Sequence, residues 1–99
     1  MKKRFIICYN PGIPAQDEAL KNWLNSYGVG WWHWLAGTWL VADPHGKLSA
    51  QQIRDAMGKT HPGVNCMVFE VQGSMTWAGF GPATPPKNMG EWLVKNWDT

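Results

Sequence analysis

The sequence predicts one α+β domain in which strands and helices alternate along the chain. Three observations support this prediction. The chain has 99 residues, a length that suits a single domain. Several short runs of β-branched and aromatic residues end at turn-forming residues, as strands do. Two longer stretches repeat apolar residues at helical spacing, and they lie between the strand-like runs.

The chain begins with a strand-like run followed by a helical one. Phe5–Tyr9 is apolar and ends at a turn signal, so it predicts a buried first strand. Residues 14–27 have apolar side chains at helical spacing, and Gly28 follows where a helix often ends. Asp17 and Glu18 fall in the first turn, where the helix dipole favours acidic side chains. Dipole neutralisation explains both carboxylates without a catalytic role.

A β-hairpin follows, and it carries four of the eight tryptophans in the chain. Gly30–Leu35 and Thr38–Ala42 are rich in aromatic and β-branched residues, and Ala36-Gly37 separates them. Two residues that include a glycine, placed between strand-like runs, are typical of a tight hairpin. We therefore expect two adjacent antiparallel strands in this region.

A second helix and a further strand come next. Ser49 and Gln52 form a capping box, in which each side chain bonds to the other residue's backbone amide. This helix is expected to end at Gly58. Val64–Val71 places apolar residues on both faces, which predicts a strand in the interior of the sheet.

The C-terminal part combines a strand-like piece, a break and a helix. Met75–Phe80 predicts a short strand, and the proline-rich residues 81–86 interrupt regular structure. Asn88 is expected to cap a last helix. The predicted apolar stripe of that helix is Met89, Trp92, Leu93 and Trp97.

The order of the first six elements, β-α-β-β-α-β, matches the ferredoxin-like pattern. In that pattern both helices cover one face of an antiparallel sheet. We therefore expect a ferredoxin-like domain over residues 1–81 and an extension with a helix over residues 82–99. The other sheet face must be covered by a partner or by the tail, because the strands are too rich in aromatic residues to face water.

Charge and composition exclude some classes of function. The net charge is only +2, which by itself does not indicate nucleic-acid binding. Lys2–Arg4 is interpreted first as a solubilising cap on the first strand and second as a set of candidate phosphate contacts. No apolar run approaches the ~20 residues of a membrane span, and the N-terminal run is too short for a signal peptide. We expect a cytoplasmic protein without a membrane partner.

Residues that often bind metals or attack substrates are scattered along the chain. Cys8 and Cys66 lie in apolar runs and are expected to be free thiols. His45 and His61 lie in loops rich in glycine and proline. Neither a nucleophile–base pair nor a metal-binding spacing is present in the sequence. We therefore predict no catalytic residue, no metal and no cofactor.

The tryptophan-rich hairpin is the best candidate for a binding role. Alternation along a strand places Trp32 and Trp34 on one face, and Trp31, His33 and Leu35 on the other. These rings can fill the core and a dimer interface, or they can stack on nucleobases, which is worth ~1–3 kcal/mol per base. Both interpretations remain open from the sequence.

We predict a composite ligand-binding site at the hairpin and at the end of the first strand. Aromatic rings supply stacking there, and His33 is the ionisable group best placed to contact a phosphate or a ribose. The predicted ligand-binding residues are Tyr9, Asn10, Trp31, Trp32, His33, Trp34, Trp39, Trp77 and Arg54.

Several runs also resemble a known family. The resemblance rests on Ile6–Asn10, Gly30–Leu35, Thr38–Val41, Ser49–Arg54, Val68–Gly73 and Trp77–Gly79. These runs resemble the small SinR-like proteins, which are similar to CRISPR-associated protein 2. The resemblance implies a ferredoxin-like homodimer that packs through open sheet faces or C-terminal strands.

In some relatives an acidic residue at the end of the first strand is proposed to bind a divalent metal for phosphodiester cleavage. This chain has Asn10 at that position, after Tyr9. A neutral amide is a poorer Mg²⁺ ligand than a carboxylate. The leading hypothesis is therefore a non-catalytic homodimer that binds a nucleotide-like ligand or nucleic acid, such as a nucleotide-signal sponge carried by a phage or other mobile element. The alternatives are a metal-dependent nuclease and a protein-assembly subunit.

Overall fold

The computed structural model describes residues 1–84 and 87–98, and these form an α+β fold around a four-stranded antiparallel sheet. The strands lie in the order β2-β3-β1-β4. Their bounds are β1 Lys3–Tyr9, β2 Gly30–Leu35, β3 Thr38–Asp43 and β4 Cys66–Val71. Two helices, α1 (Pro14–Ser26) and α2 (Ala50–Thr60), connect them. The predicted first strand and hairpin are confirmed.

Three features of the helix ends match the sequence prediction, and one differs from it. α1 starts with a proline, and Gly28 has a φ of 68°, the left-handed conformation that glycine adopts most readily. Both bonds of the capping box at Ser49 and Gln52 are present. The predicted end at Gly58 is wrong, because α2 continues to Thr60. His61 then donates its backbone N–H to the Met57 carbonyl and holds this last turn.

The main core lies between the two helices and one face of the sheet. β1 is a central strand, and its Phe5 and Ile7 are completely buried against Leu20 and Leu24 of α1 and Ile53 of α2. This packing explains the apolar stripes at helical spacing, because each stripe is the face that its helix turns toward the sheet.

A second core covers part of the opposite face of the sheet. α3 (Met89–Trp92) continues as a π-helical segment, Leu93–Trp97, and the two together are called the C-terminal helix. Asn88 caps it as predicted, accepting the Glu91 amide. Its buried residues are Met89, Leu93 and Trp97, which pack with Ile6, Trp32, Trp34, Leu40, Val71 and Trp92. The tail therefore covers the aromatic sheet face that cannot be left to water.

Two predictions about strands need correction. Met75–Phe80 is not a strand. Met75 and residues 77–80 line a cavity at the edge of the aromatic sheet face, and the short pair β5 (Ala83–Thr84) and β6 (Lys87–Asn88) follows them. β4 is an edge strand rather than an interior strand, and the side chains of Met67 and Phe69 are 58% and 49% exposed. The C-terminal helix packs nearer the hairpin and leaves this end of the face uncovered.

The two cysteines are free thiols, as expected. They lie on the adjacent strands β1 and β4, where Cys8 pairs with Met67 and Cys66 pairs with Tyr9. Their side chains therefore point to opposite faces of the sheet. Among the described residues, no helix combines the length and the apolar character that crossing a membrane requires.

Candidate ligand-binding site

An apolar cavity of about 340 Å³ lies on the sheet face that carries the C-terminal helix. The sheet forms its floor through Ile6, Trp34 and Leu40. Its walls are the segment 75–80 on one side and the C-terminal helix on the other, the helix contributing Met89, Leu93 and Trp97. Residues 75–80 contribute this wall without forming a strand.

A wider, open groove of about 1060 Å³ adjoins this cavity. The two share Met75, Trp77 and Trp97 as lining residues. The basic cluster Lys2–Arg4 lines the groove together with residues 70–77 and Asp98. Alternation along β1 places Arg4 and Ile6 on the same face. One strand therefore supplies a cation to the groove and an apolar side chain to the cavity.

Arg4 is held at this junction by carbonyl groups and by an aromatic ring. Its Nη1 donates to the Trp97 carbonyl at 3.4 Å, and its Nη2 donates to the Gly73 carbonyl. The guanidinium also lies 5.4 Å from the centre of the Trp97 ring, within the range of a cation–π contact. These partners orient the guanidinium without neutralising its charge.

Lys2 lies beside Arg4 and donates to the same Trp97 carbonyl at 3.4 Å. Burial, and then the positive charge of Arg4, lower the pKa of Lys2, while Asp98 acts in the opposite direction. Two positive charges therefore lie beside one another at the edge of the groove, which Asp98 also lines.

Trp77 stands between the groove and the cavity. Its Nε1 donates to the Asp98 carboxylate at 3.0 Å, and 36% of the side chain is exposed. The hairpin contributes Trp34 to the sheet side of the cavity. The ring centres of Trp34 and Trp32 are 5.3 Å apart. The buried Nε1 of Trp32 has no hydrogen-bond partner among the described residues. Two of the predicted ligand-binding tryptophans, Trp34 and Trp77, therefore line one cavity.

Tyr9 and two of the predicted hairpin residues, His33 and Trp39, belong to a polar cluster on the helix-side face, centred on Asp17. The Tyr9 hydroxyl donates to Asp17 Oδ1 at 2.6 Å and accepts from Trp39 Nε1 at 2.8 Å. His61 Nε2 lies 3.0 Å from the same carboxylate oxygen, and His33 Nε2 lies 3.5 Å from Oδ2. We call these five residues the Asp17 cluster.

The hydrogen bonds of the Asp17 cluster favour an ionised carboxylate. Burial alone raises the pKa of Asp17, but the hydrogen bonds from Tyr9 and His61 and the charges of both histidines outweigh it and lower that pKa. Burial and the bond to Asp17 raise the pKa of Tyr9 far above its ordinary value, so the hydroxyl keeps its proton.

The sequence did not point to Asp17 or His61 as parts of a cluster. The interpretation of Asp17 as a dipole-neutralising residue is incomplete, because its carboxylate accepts two side-chain hydrogen bonds. A signal was present: Asp17 shares its helical stripe with the buried Leu20 and Leu24, so an acid lies on an apolar face. For His61, which follows α2, the sequence carried no comparable signal.

The remaining predicted residues, Asn10, Trp31, Trp32 and Arg54, belong neither to the cavity lining nor to the Asp17 cluster. The ring centres of Trp31 and Trp39 are 5.1 Å apart, and the Trp31 Nε1–H donates to the Asn25 side-chain oxygen. Asn10 donates its backbone N–H to the Asn65 carbonyl. Arg54 is exposed on α2 and pairs with its neighbour Asp55, on the far side of the sheet from the cavity. The structure thus divides the predicted composite site between the two sheet faces.

No family model matches this chain, and neither the search of characterised proteins nor the search of solved structures found a significant match. Within residues 1–84 and 87–98, no group of three or more histidine, cysteine, aspartate or glutamate side chains is arranged to hold a metal ion. The geometry described above is therefore the basis for a functional proposal.

Proposed function

We propose that this protein binds a nucleotide-like ligand without catalysing a reaction on it. The observation that carries the proposal is the junction between an aromatic cavity and a basic groove. A flat ring would enter the cavity among Trp34, Trp77 and Trp97, and an attached phosphate would lie in the groove beside Lys2 and Arg4. Stacking on such rings is worth ~1–3 kcal/mol per base, whichever base is bound.

The dimensions favour a small nucleotide over a nucleic-acid strand. The cavity volume of about 340 Å³ falls in the range of ~300–1,000 Å³ that is usual for small-molecule pockets. The net charge of +2 supplies little of the long-range attraction on which binding to a phosphate backbone depends. Sequestration of a signalling nucleotide in the cytoplasm is consistent with such a site.

The proposal includes a ferredoxin-like fold related to the SinR-like proteins. The strand order β2-β3-β1-β4, with all neighbours antiparallel and both α1 and α2 on one face, supports that assignment. It also includes a homodimer. Met67 and Phe69 on the edge strand β4 are half exposed, and burying them against a second copy would remove apolar surface from water.

Binding is tested by titrating the protein with AMP, GMP and adenosine while tryptophan fluorescence and heat are recorded. We expect AMP to bind at least about tenfold more tightly than adenosine, because a charged hydrogen bond contributes about 1.5–3 kcal/mol. Arg4→Gln should remove this preference for the phosphate, whereas Arg54→Gln, a matched change on the other face, should preserve it.

Absence of binding by every mononucleotide would overturn the proposed function. A short oligothymidylate forms the second arm of the experiment. If it binds and the mononucleotides do not, the groove serves a nucleic-acid strand and the small-ligand proposal is wrong.

A further inference from the structure

Asp98 follows the C-terminal helix and lines the groove where the groove meets the cavity. Its backbone N–H donates to the Leu93 carbonyl at 2.8 Å, which fixes the backbone at this position. Its carboxylate accepts from Trp77 Nε1, with Oδ1 at 3.0 Å and Oδ2 at 3.2 Å. The carboxylate is therefore anchored to a ring that lines both the cavity and the groove.

The cations of the groove are also close to Asp98. Lys2 and Arg4 each donate to the carbonyl of Trp97, the residue that precedes Asp98, at 3.4 Å. The negative charge of Asp98 is near enough to Lys2 to oppose the lowering of the Lys2 pKa. The carboxylate thus has an aromatic ring of the cavity as one neighbour and the cations of the groove as others.

This arrangement of aromatic rings, carboxylate and cations matches the parts of a ribonucleotide. In such a ligand a ribose joins the base to the phosphate, and the ribose carries two neighbouring hydroxyl groups. An ionised carboxylate only accepts hydrogen bonds, and its two oxygens offer about four lone-pair positions. The single indole N–H of Trp77 does not fill them. The part of a ligand that suits this carboxylate is a hydroxyl group, because a phosphate would be repelled.

Glu70 is a second acid in the groove lining, but its surroundings differ. Its carboxylate accepts from the Gln72 side chain at 3.1 Å, and neither of these residues lines the cavity. The side chains that the structure describes around the cavity are apolar or aromatic. Stacking among them is tolerant of the base, so selectivity for the sugar falls on Asp98.

We propose that Asp98 accepts hydrogen bonds from the ribose hydroxyls of the bound nucleotide and makes the site selective for ribonucleotides. This inference rests on the proposed function, which places the base in the cavity and the phosphate beside Lys2 and Arg4. Asp98 then has two tasks, since the same carboxylate also bonds to the ring of Trp77.

The test compares the binding of AMP with that of dideoxy-AMP, which lacks both hydroxyls and carries the same charge. Because the charges are equal, the ratio of the two dissociation constants reports the hydroxyls and not the field of the groove. Calorimetry should show AMP bound about fivefold more tightly by the wild type, and a ratio below about twofold in Asp98→Ala. Glu91→Gln changes an exposed acid of the same helix outside both linings, and it should keep the wild-type ratio.

Trp77→Phe separates a direct contact of Asp98 with the ligand from an indirect one. This variant removes the indole N–H but leaves the carboxylate. Both nucleotides should bind more weakly because the smaller ring stacks less well, while AMP stays preferred by about threefold or more. If Trp77→Phe abolishes the preference as fully as Asp98→Ala does, Asp98 acts only by holding Trp77 and the direct contact is refuted.

The possible outcomes separate this inference from the proposed function. Equal binding of AMP and dideoxy-AMP by the wild type would refute the ribose contact and leave the proposed function in place. Tighter binding of both nucleotides by Asp98→Ala, at an unchanged ratio, would also refute it, because the carboxylate would then only repel the phosphate. If neither nucleotide binds to the wild type, the proposed function and the contact that rests on it are both wrong.

Discussion

Both faces of the sheet carry aromatic side chains, but the surroundings of these side chains differ. On the helix side, the polar atoms of Tyr9, Trp39 and His61 meet one another or Asp17, and the surrounding apolar side chains are fully buried. On the face under the C-terminal helix, an apolar cavity remains, and Arg4 donates to the Trp97 and Gly73 carbonyls and lies near the Trp97 ring. The helix side is therefore a closed core, and the other face carries an apolar cavity beside a basic groove.

The largest expected effect comes from a matched pair of leucines, one in each core. Leu24 is fully buried in the closed core, and Leu93 is almost as buried but borders the cavity. Leu24→Ala should lower the free energy of unfolding by about 3–5 kcal/mol. Leu93→Ala should lower the free energy of unfolding by less, about 2–3 kcal/mol, because fewer atoms surround the deleted methyl groups. Denaturant unfolding measures both, and equal costs would mean that the two faces are packed alike.

A smaller effect is expected in the Asp17 cluster. Asp17→Ala leaves His61 Nε2 and the Tyr9 hydroxyl without their acceptor, which should cost about 2–3 kcal/mol. Glu18→Ala, the control in the same helical turn, removes an exposed pair with Lys21 and should change stability by less than about 0.5 kcal/mol. Thermal or denaturant unfolding provides the comparison.

Asp17→Ala and Glu18→Ala also show whether the stabilisation by Asp17 rises or falls with pH. The pKa of Asp17 is lowered in the folded protein, so its carboxylate stabilises the fold above the ordinary aspartate pKa of 3.8. That contribution is lost as the pH falls through the lowered value. The gap in stability between the wild type and Asp17→Ala should therefore shrink with acidification. A gap that widens in acid would contradict the assigned hydrogen bonds.

The smallest effect on stability is expected at the sheet edge β4. A substitution there should instead act on the association of two copies of the protein. Phe69→Glu should weaken the proposed dimer at least tenfold, because it would place a charge on the exposed apolar surface that the proposed interface buries. Val94→Glu introduces the same charge at an exposed apolar position on the C-terminal helix and should leave association unchanged. Sedimentation at several protein concentrations measures both. A wild-type protein that stays monomeric would remove the dimer from the proposal.

Local patterns in the sequence determined the first strand, the hairpin and the positions of α1 and α2. The spacing of Leu20 and Leu24, the capping box at Ser49 and the glycine between the hairpin strands each act over a few residues, so their structural consequences could be predicted. The alternation of the hairpin also predicted which tryptophans share a face, and Trp32 and Trp34 do pack together.

Only the tertiary structure decided which of these residues meet. Asp17 and His61 are 44 positions apart, and their contact depends on how α1 and α2 pack on the sheet. The cavity likewise requires the C-terminal helix to fold back over β1 and the hairpin, which brings Trp97 to Arg4 across 93 positions. Such contacts depend on the summed packing of many residues, and local preferences carry no information about them. The sequence alone therefore indicated an aromatic hairpin with two candidate roles, and the fold separated a closed core on one face from an open, basic-edged cavity on the other.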